Sequence, residues 1–273
     1  MSAEPDPALH DFDAATAVAR SGPGRWAGAT HPAYWAFVGP FGGATAATLL
    51  RAVLEEPGRE GDPLSMTVNY CAPIAAGGFE IEVRRIRANR SSQHWLALLS
   101  QGGDEPAAMA SLVTAVRRDS WSHQVATAPS RPDRAGLAPH ASTVAPWVGQ
   151  YDFRFAAGAP DYASGGTGET RSALWISDAE PRPLDHLSLA SMADAFFGRI
   201  FHARRAIVPF GTVTMTTQFH ADAADLAAER ASMVFGVADA RRFHKSYGDQ
   251  TGELWSPSGR LLATTTQAFY FKA

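Results

Sequence analysis

Three kinds of residue able to hold and activate a water molecule stand in apolar surroundings in the second half of the chain. One is Asp194. It follows Leu187, Leu189, Ala190 and Ala193 and precedes Phe196 and Phe197; their three-and-four spacing predicts a helix with a carboxylate interrupting its apolar stripe. Such a carboxylate is costly to bury unless it is paired or used. Next come the threonines of G-T-V-T-M-T-T-Q-F-H, where Val213, Met215, Thr217 and Phe219 alternate with Thr212, Thr214, Thr216 and Gln218. That pattern predicts a strand with one hydroxyl-rich face. The third is Gln267, within the apolar and aromatic strand pattern L-L-A-T-T-T-Q-A-F-Y-F. A carboxylate to take a proton, with a hydroxyl and an amide to hold a water, is the equipment of general-base chemistry.

The elements that must position these groups come in two similar sets. In the first half, residues 12–19 read as a short helix and 25–38, with Trp26, Tyr34, Trp35 and Phe37, as one or two strands. G-P-F-G-G-A-T-A-A-T-L-L-R-A-V-L-E-E-P-G follows, a helix that starts at Gly42-Gly43 and is stopped by Pro57-Gly58. Glycines there let a ligand approach backbone N–H groups that the helix leaves unpaired. Alternating strands are predicted at 64–70, 79–88, 93–101 and 107–116, with a turn at 102–105. Residues 119–146, rich in Pro, Ala, Ser and Arg without periodicity, read as a linker. Strands at 151–155 and 171–177, the Asp194 helix, the Thr212 strand, a short helix within 221–230, strands at 232–238 and 244–255 and the Gln267 strand complete the chain.

L-S-M-T-V-N-Y-C-A-P (64–73) aligns with V-T-M-T-T-Q-F-H-A-D (213–222), and A-S-L-V-T-A-V (110–116) with A-T-T-T-Q-A-F (263–269), which sets Thr114 against Gln267. A helix-plus-antiparallel-sheet unit is thus duplicated, an α+β plan. The expected organisation is residues 1–118, a linker at 119–146, and 147–273, with the sheets joined edge to edge. The first half has only Gly, Ala, Thr and Leu where the second has Asp194, so one polar site per chain is expected.

Composition limits the alternatives. The 273 residues are 45% hydrophobic with a formal charge of −3, and the Arg pairs are dispersed, so no basic stripe for nucleic acid is present. The single Cys71 precludes an internal disulfide and reads as a small apolar filler at a strand end. No apolar run approaches the ~20 residues of a membrane span, and no signal-peptide core opens the chain, so a cytoplasmic location is expected. The nine histidines show no metal-ligand spacing; His186 reads as a supporting or capping residue and His220 as structural. G-x-S-x-G is absent. No metal and no cofactor is expected.

F-G-G before a small-residue helix, A-S-M-A-D in the second helix, a Thr seven residues before F-H and T-x-Q near the C-terminus together resemble the acyl-CoA thioesterase II (TesB-like) family. The resemblance spans nearly the whole chain and implies a double hotdog fold, an acyl-CoA substrate, a place in lipid metabolism, and a homodimer or larger homo-oligomer. It puts the water-activating Asp, Thr and Gln on Asp194, Thr212 and Gln267. On that reading a backbone N–H of Gly42 or Gly43 receives the oxyanion, and Phe41, Phe196 and Phe197 line the acyl channel. The turn with Arg90, Ser91 and Ser92, and its repeat at Arg241 and Arg242, meet the CoA phosphates. The competing readings are a catalytically silent acyl-CoA or acyl-carrier binding module and, third, a hotdog hydratase, whose paired Asp and His motif is missing from both halves.

Overall fold

In a computed structural model, residues 9–103 and 105–272 are described; the polar N-terminal start and Asp104 of the 102–105 turn lie outside them. Short helix α1 (Asp11–Ala15) leads into β1 (Val18–Gly22) and β2 (Arg25–Ala29), followed by α2 (Gly42–Leu54). β3 (Asp62–Tyr70), β4 (Gly78–Ala88), β5 (Ser92–Ser100) and β6 (Ala108–Ala115) complete the first half. The second half comprises β7 (Tyr151–Ala157), β8 (Ser172–Asp178), α3 (His186–Met192), α4 (Arg199–Arg204), β9 (Phe210–Phe219), α5 (Ala223–Glu229), β10 (Met233–Asp239), β11 (Phe243–His244), β12 (Tyr247–Trp255) and β13 (Leu261–Phe271).

One antiparallel sheet runs in the order β1-β2-β4-β5-β6-β3-β9-β13-β12-β10-β8-β7, with β11 paired to β12 alone. β3 and β9 join the halves, and Thr67 faces Thr216 across the joint with their hydroxyls 2.9 Å apart. Because 64–73 aligns with 213–222, this self-matched pair marks an approximate two-fold axis. α2 is built from small residues and a Leu49, Leu50 and Val53 stripe, all buried; it packs on α3 and against β4, β5 and β6. Gly43 is required at that contact, because a Cβ on it would lie 2.4 Å from the Ser191 carbonyl oxygen.

Several expectations change. The patch at 12–19 divides into α1 and the start of β1, since Thr16 caps α1 and strand pairing begins at Val18. Residues 25–38 hold one strand, then a 3-10 turn at Pro32–Tyr34 fixed by Pro32. The helix read through Phe197 ends at Met192, and Asp194 occupies the turn that follows, its N–H bonded to the Ser191 carbonyl at 3.1 Å. α4 fills a stretch that the sequence reads as a short connection. Residues 119–146 lie along the second half: the Pro132 carbonyl accepts from Trp175 Nε1 at 2.9 Å, and Ala128 and Leu137 pack on the Trp175–Phe235–Trp255 cluster.

Strand register also revises the repeat. Thr67 pairs with Ser111, and Thr216 with Thr266. Leu112, not Thr114, therefore occupies the place of Gln267. Both halves carry a bulge at equivalent positions, Leu64 in β3 and Val213 in β9, where one residue is extra relative to the partner strand. Beyond the bulge, Pro63 in the first half occupies the place of Thr212.

Candidate active site

Asp194 sits in the α3–α4 turn, where α2 and the joined sheets meet. Its Oδ1 accepts from Gln267 Nε2 at 2.9 Å. The Gly43 backbone N–H, in the first turn of α2, faces this carboxylate and favours its charged form. Gly42 is needed beside it, because a Cβ there would lie 2.7 Å from Asp194 Oδ2. The Tyr70 hydroxyl donates to the Gly42 carbonyl at 2.9 Å and braces the helix start. Since an ionised carboxylate only accepts, it fixes the amide orientation: Gln267 turns its nitrogen to Asp194 and its oxygen to Thr212. Thr212 Oγ1 donates to Gln267 Oε1 at 3.5 Å, and Met215 Sδ lies 3.4 Å from Gln267 Nε2.

Thr212 reaches this place because of the bulge. Gln267 pairs with Met215 and Ala268 with Thr214, but Phe269 pairs with Thr212, so Val213 is the extra residue. Regular alternation would turn Thr212 to the same face as Thr214 and Thr216. The bulge puts it on the inner face instead, a common means of re-aiming a side chain next to a site. Val213 is half-exposed, and Thr216 spends its hydroxyl on Thr67 across the joint.

Desolvation raises the Asp194 carboxyl to about 7, and the bond from Gln267 and the nearby Gly43 N–H hold it from rising further. The carboxyl therefore titrates near neutrality, where it can both take and return a proton. The α3–α4 turn is fixed from behind by Arg199, which is fully buried. Arg199 donates to the Thr170 carbonyl at 2.7 Å, to Ser172 Oγ at 2.8 Å and to the carbonyls of Phe196 and Phe197. Burial without a bonded carboxylate lowers its guanidinium to about 9. Phe197, clamped in this way, has a φ of 59°.

Asp194, Thr212, Gln267 and Gly42 line one cavity of about 310 Å³. Its apolar wall includes Phe41, Trp147, Phe197, Phe201 and Phe269. Phe41 and Trp147 stack face to face with centroids 4.2 Å apart. Two of the three phenylalanines assigned to a channel thus reach it. Phe196 does not: it is fully buried under the sheet, against Gly236 and Gly252. Adjacent residues in a tight turn point apart, which helical spacing could not show. Cys71, expected as a small apolar filler at a strand end, is exposed and lines the cavity.

Other assignments separate by strand end. Ser92 pairs with Ala115, and Ala115 with Asp62 at the start of β3, whereas Tyr70 at its far end lines the cavity. The Arg90, Ser91 and Ser92 turn is therefore at the opposite end of the sheet, which removes it from the cavity. The hairpin after Arg241 and Arg242 is at the cavity end, where Tyr247 pairs with Tyr270, itself a lining residue. Both arginines are exposed, and their backbone N–H groups donate to Asp249. The Gly43 N–H lies close enough to Asp194 to hold its carboxyl down, and Gly42 lines the cavity beside it. His186 opens α3 and faces the Ala221 carbonyl at 3.1 Å, outside the cavity lining; His220 contacts Thr264 at 3.1 Å. Sequence reading missed Trp147, Phe201 and Gln250, all of which line the cavity. No described helix is long and apolar enough to cross a membrane.

Comparison with known proteins bears on what this site does. Residues 31–116 match the family model of the acyl-CoA thioesterase N-terminal domain, and residues 122–271 that of the C-terminal domain. A conserved protein of unknown function with a hot dog fold from Alicyclobacillus acidocaldarius is 40% identical, with a TM-score of 0.91 over 97% of this chain and 99% of that one. A putative thioesterase II from Thermobifida fusca is 19% identical, TM-score 0.79, over 97% and 99% of the two chains. The acyl-CoA thioesterase II TesB2 of Mycobacterium marinum is 15% identical, TM-score 0.75, over 96% and 98%. No curated protein matches the sequence significantly.

Proposed function

The chain belongs to the acyl-CoA thioesterase family, with the double hotdog fold, and we propose that it hydrolyses acyl-CoA thioesters to free acid and CoA by general-base activation of water at Asp194. One observation carries the reading: a carboxylate that desolvation raises to about 7, bonded to Gln267 at 2.9 Å, at the wall of a largely apolar cavity. The acyl group lies along Phe41, Trp147 and Phe197. Thr212 and Gln267 orient the attacking water. Asp194 takes a proton from that water as its oxygen bonds to the thioester carbon, and the carbonyl electron pair moves onto oxygen. The tetrahedral intermediate then collapses, the C–S bond breaks, and the proton on Asp194 passes to the departing thiolate. Arg241 and Arg242, at the cavity end of the sheet, meet the CoA phosphates, a contact suited to guanidinium groups. The Gly42 N–H, first in α2 and without an intrahelical partner, points a partial positive charge into the site.

The test is free-thiol release from acyl-CoAs graded from acetyl to palmitoyl, with wild type beside Asp194→Ala. Release by wild type and its loss in a folded variant is the expected result. Tight binding of a non-hydrolysable analogue with no release from any thioester would replace hydrolysis by acyl-CoA binding alone.

A further inference from the structure

Gln250, midway along β12, faces the cavity. The residue is 3% exposed overall, and its carboxamide opens onto the cavity and is not among the sealed polar groups left without a partner. The residues two positions away on the same face are Gly248 and Gly252, so Gln250 alone projects inward from this stretch. Its cross-strand partner is Gln267. Directly opposed side chains have Cβ atoms about 5 Å apart, which sets the Gln250 amide beside the amide that holds Asp194.

The first half shows what packing alone asks for at this place. Trp95 pairs with Leu112 as Gln250 pairs with Gln267. The approximate two-fold therefore relates Trp95 to Gln250, Leu112 to Gln267 and Pro63 to Thr212. In the first half the space is filled: Trp95 is buried, with its indole N–H on Thr114 Oγ1 at 3.2 Å. The same scaffold position in the second half has a smaller, polar side chain that borders a cavity.

Apart from the Gly42 N–H at the start of α2, the nearby side-chain donors are engaged with one another. Gln267 Nε2 goes to Asp194 and the Thr212 hydroxyl to Gln267. Resting on the thioester reading above, we infer that Gln250 is a further catalytic residue: its carboxamide N–H donates to the thioester carbonyl oxygen and stabilises the negative charge that develops there. No covalent bond to Gln250 forms; the charge arrives with the attack of water and leaves when the C–S bond breaks.

Gln250→Met keeps the shape and removes the donor. It is expected to lower kcat by about 10²–10³, the usual cost of one oxyanion donor, with KM little changed. The acid limb of the pH–rate profile stays in place, because the bonds of Asp194 are untouched, and Tm is little changed, because no hydrogen bond of the folded protein is lost. Wild-type kcat in this variant overturns the inference, as does a loss of kcat that merely follows a fall in Tm. A second measurement works without turnover. Two non-hydrolysable ligands of matched length are compared, a 2-oxoalkyl-CoA that keeps the carbonyl and an alkyl-CoA thioether that lacks it. Wild type is expected to prefer the ketone roughly three- to tenfold, as one net hydrogen bond gives, and Gln250→Met to abolish the preference. A preference lost in the variant supports the contact even if no thioester is cleaved, in which case hydrolysis alone fails. No preference in wild type, an equal preference in the variant, or binding of neither ligand overturns it.

Discussion

Asp194→Asn should make the protein inactive and, above neutral pH, more stable. In an unfolded chain an aspartate titrates near 3.9, whereas desolvation holds this one at about 7 in the folded protein. Well below pH 4 both states are protonated and the carboxyl has no effect on stability. As pH rises toward 7 the unfolded chain releases its proton while the folded protein keeps it, so stability falls. Above 7 the full penalty is present: about three pKa units at 1.36 kcal/mol each, a ceiling of about 4 kcal/mol. Asp194 borders an open cavity, and solvent there screens part of the penalty, so a working value is about 1–3 kcal/mol. Asparagine carries no charge at any pH. Its oxygen still faces the Gly43 N–H, and Gln267 can turn its own oxygen toward the new amide. For a chain of this size about 2–4 °C of Tm accompanies each kcal/mol, so the variant should melt roughly 3–10 °C higher at pH 8. The gap should close toward pH 4–5, and kcat should fall by about 10²–10⁴. Thermal melts of both proteins between pH 4.5 and 8.5, with thiol-release assays in parallel, provide the measurement. An equal or lower Tm at pH 8, a gap that ignores pH, or a variant that keeps its turnover would refute the description of Asp194 as a desolvated base.

Other outcomes follow from the same geometry. The kcat/KM of wild type should rise with pH to a plateau above about 7, because only the ionised Asp194 accepts a proton; a profile flat from pH 5 to 8 would count against it. Gln267→Leu removes a bond that lowers the Asp194 pKa, so its acid limb should move above that of wild type. Gly42→Ala places a methyl 2.7 Å from Asp194 Oδ2 and should reduce kcat at least about tenfold with an unchanged far-ultraviolet dichroism spectrum. Phe196→Ala, a core truncation, should cost about 3–5 kcal/mol in denaturant melts, whereas Phe197→Ala should shift the acyl-length preference of thiol release.

The duplication and the joined sheets were legible because alternation survives in both halves and the β3–β9 joint preserves the 64–73 and 213–222 match. The exact mate of Gln267 was not. A strand pattern has period two, so A-S-L-V-T-A-V slides by two residues without changing which side chains face inward; only pairing shows that Leu112, not Thr114, is the counterpart. Asp194 was visible as a carboxylate among apolar residues, but Phe196 and Phe197 continued its helical spacing through what is a turn. Trp147 and Phe201 come from a 3-10 turn and a two-turn helix with no periodicity long enough to read. Gln250 did leave a signal, G-D-Q-T-G, an amide flanked at both same-face positions by glycine.

The bulge at Val213 makes the sharpest distinction among the threonines. Without it, Thr212 would share the outer face with Thr214 and Thr216, and Val213 would point at Gln267. With it, Thr212 bonds Gln267 Oε1 and Val213 is half-exposed. Thr212→Val should therefore lower kcat by about tenfold or more, as expected for losing one hydrogen bond that orients the reacting water. Val213→Lys, on the outer face, and Thr214→Val should both leave kcat within about twofold, since surface substitutions away from structural features change little. The first half offers a check on why the bulge exists. Its counterpart at Leu64 brings buried Pro63 to the inner face, where no hydroxyl is needed. The bulge is thus a feature of the repeated unit, and the second half places threonine one residue before it. Loss of activity in Val213→Lys with none in Thr212→Val would reverse the two faces and overturn this account of how the hydroxyl reaches the water.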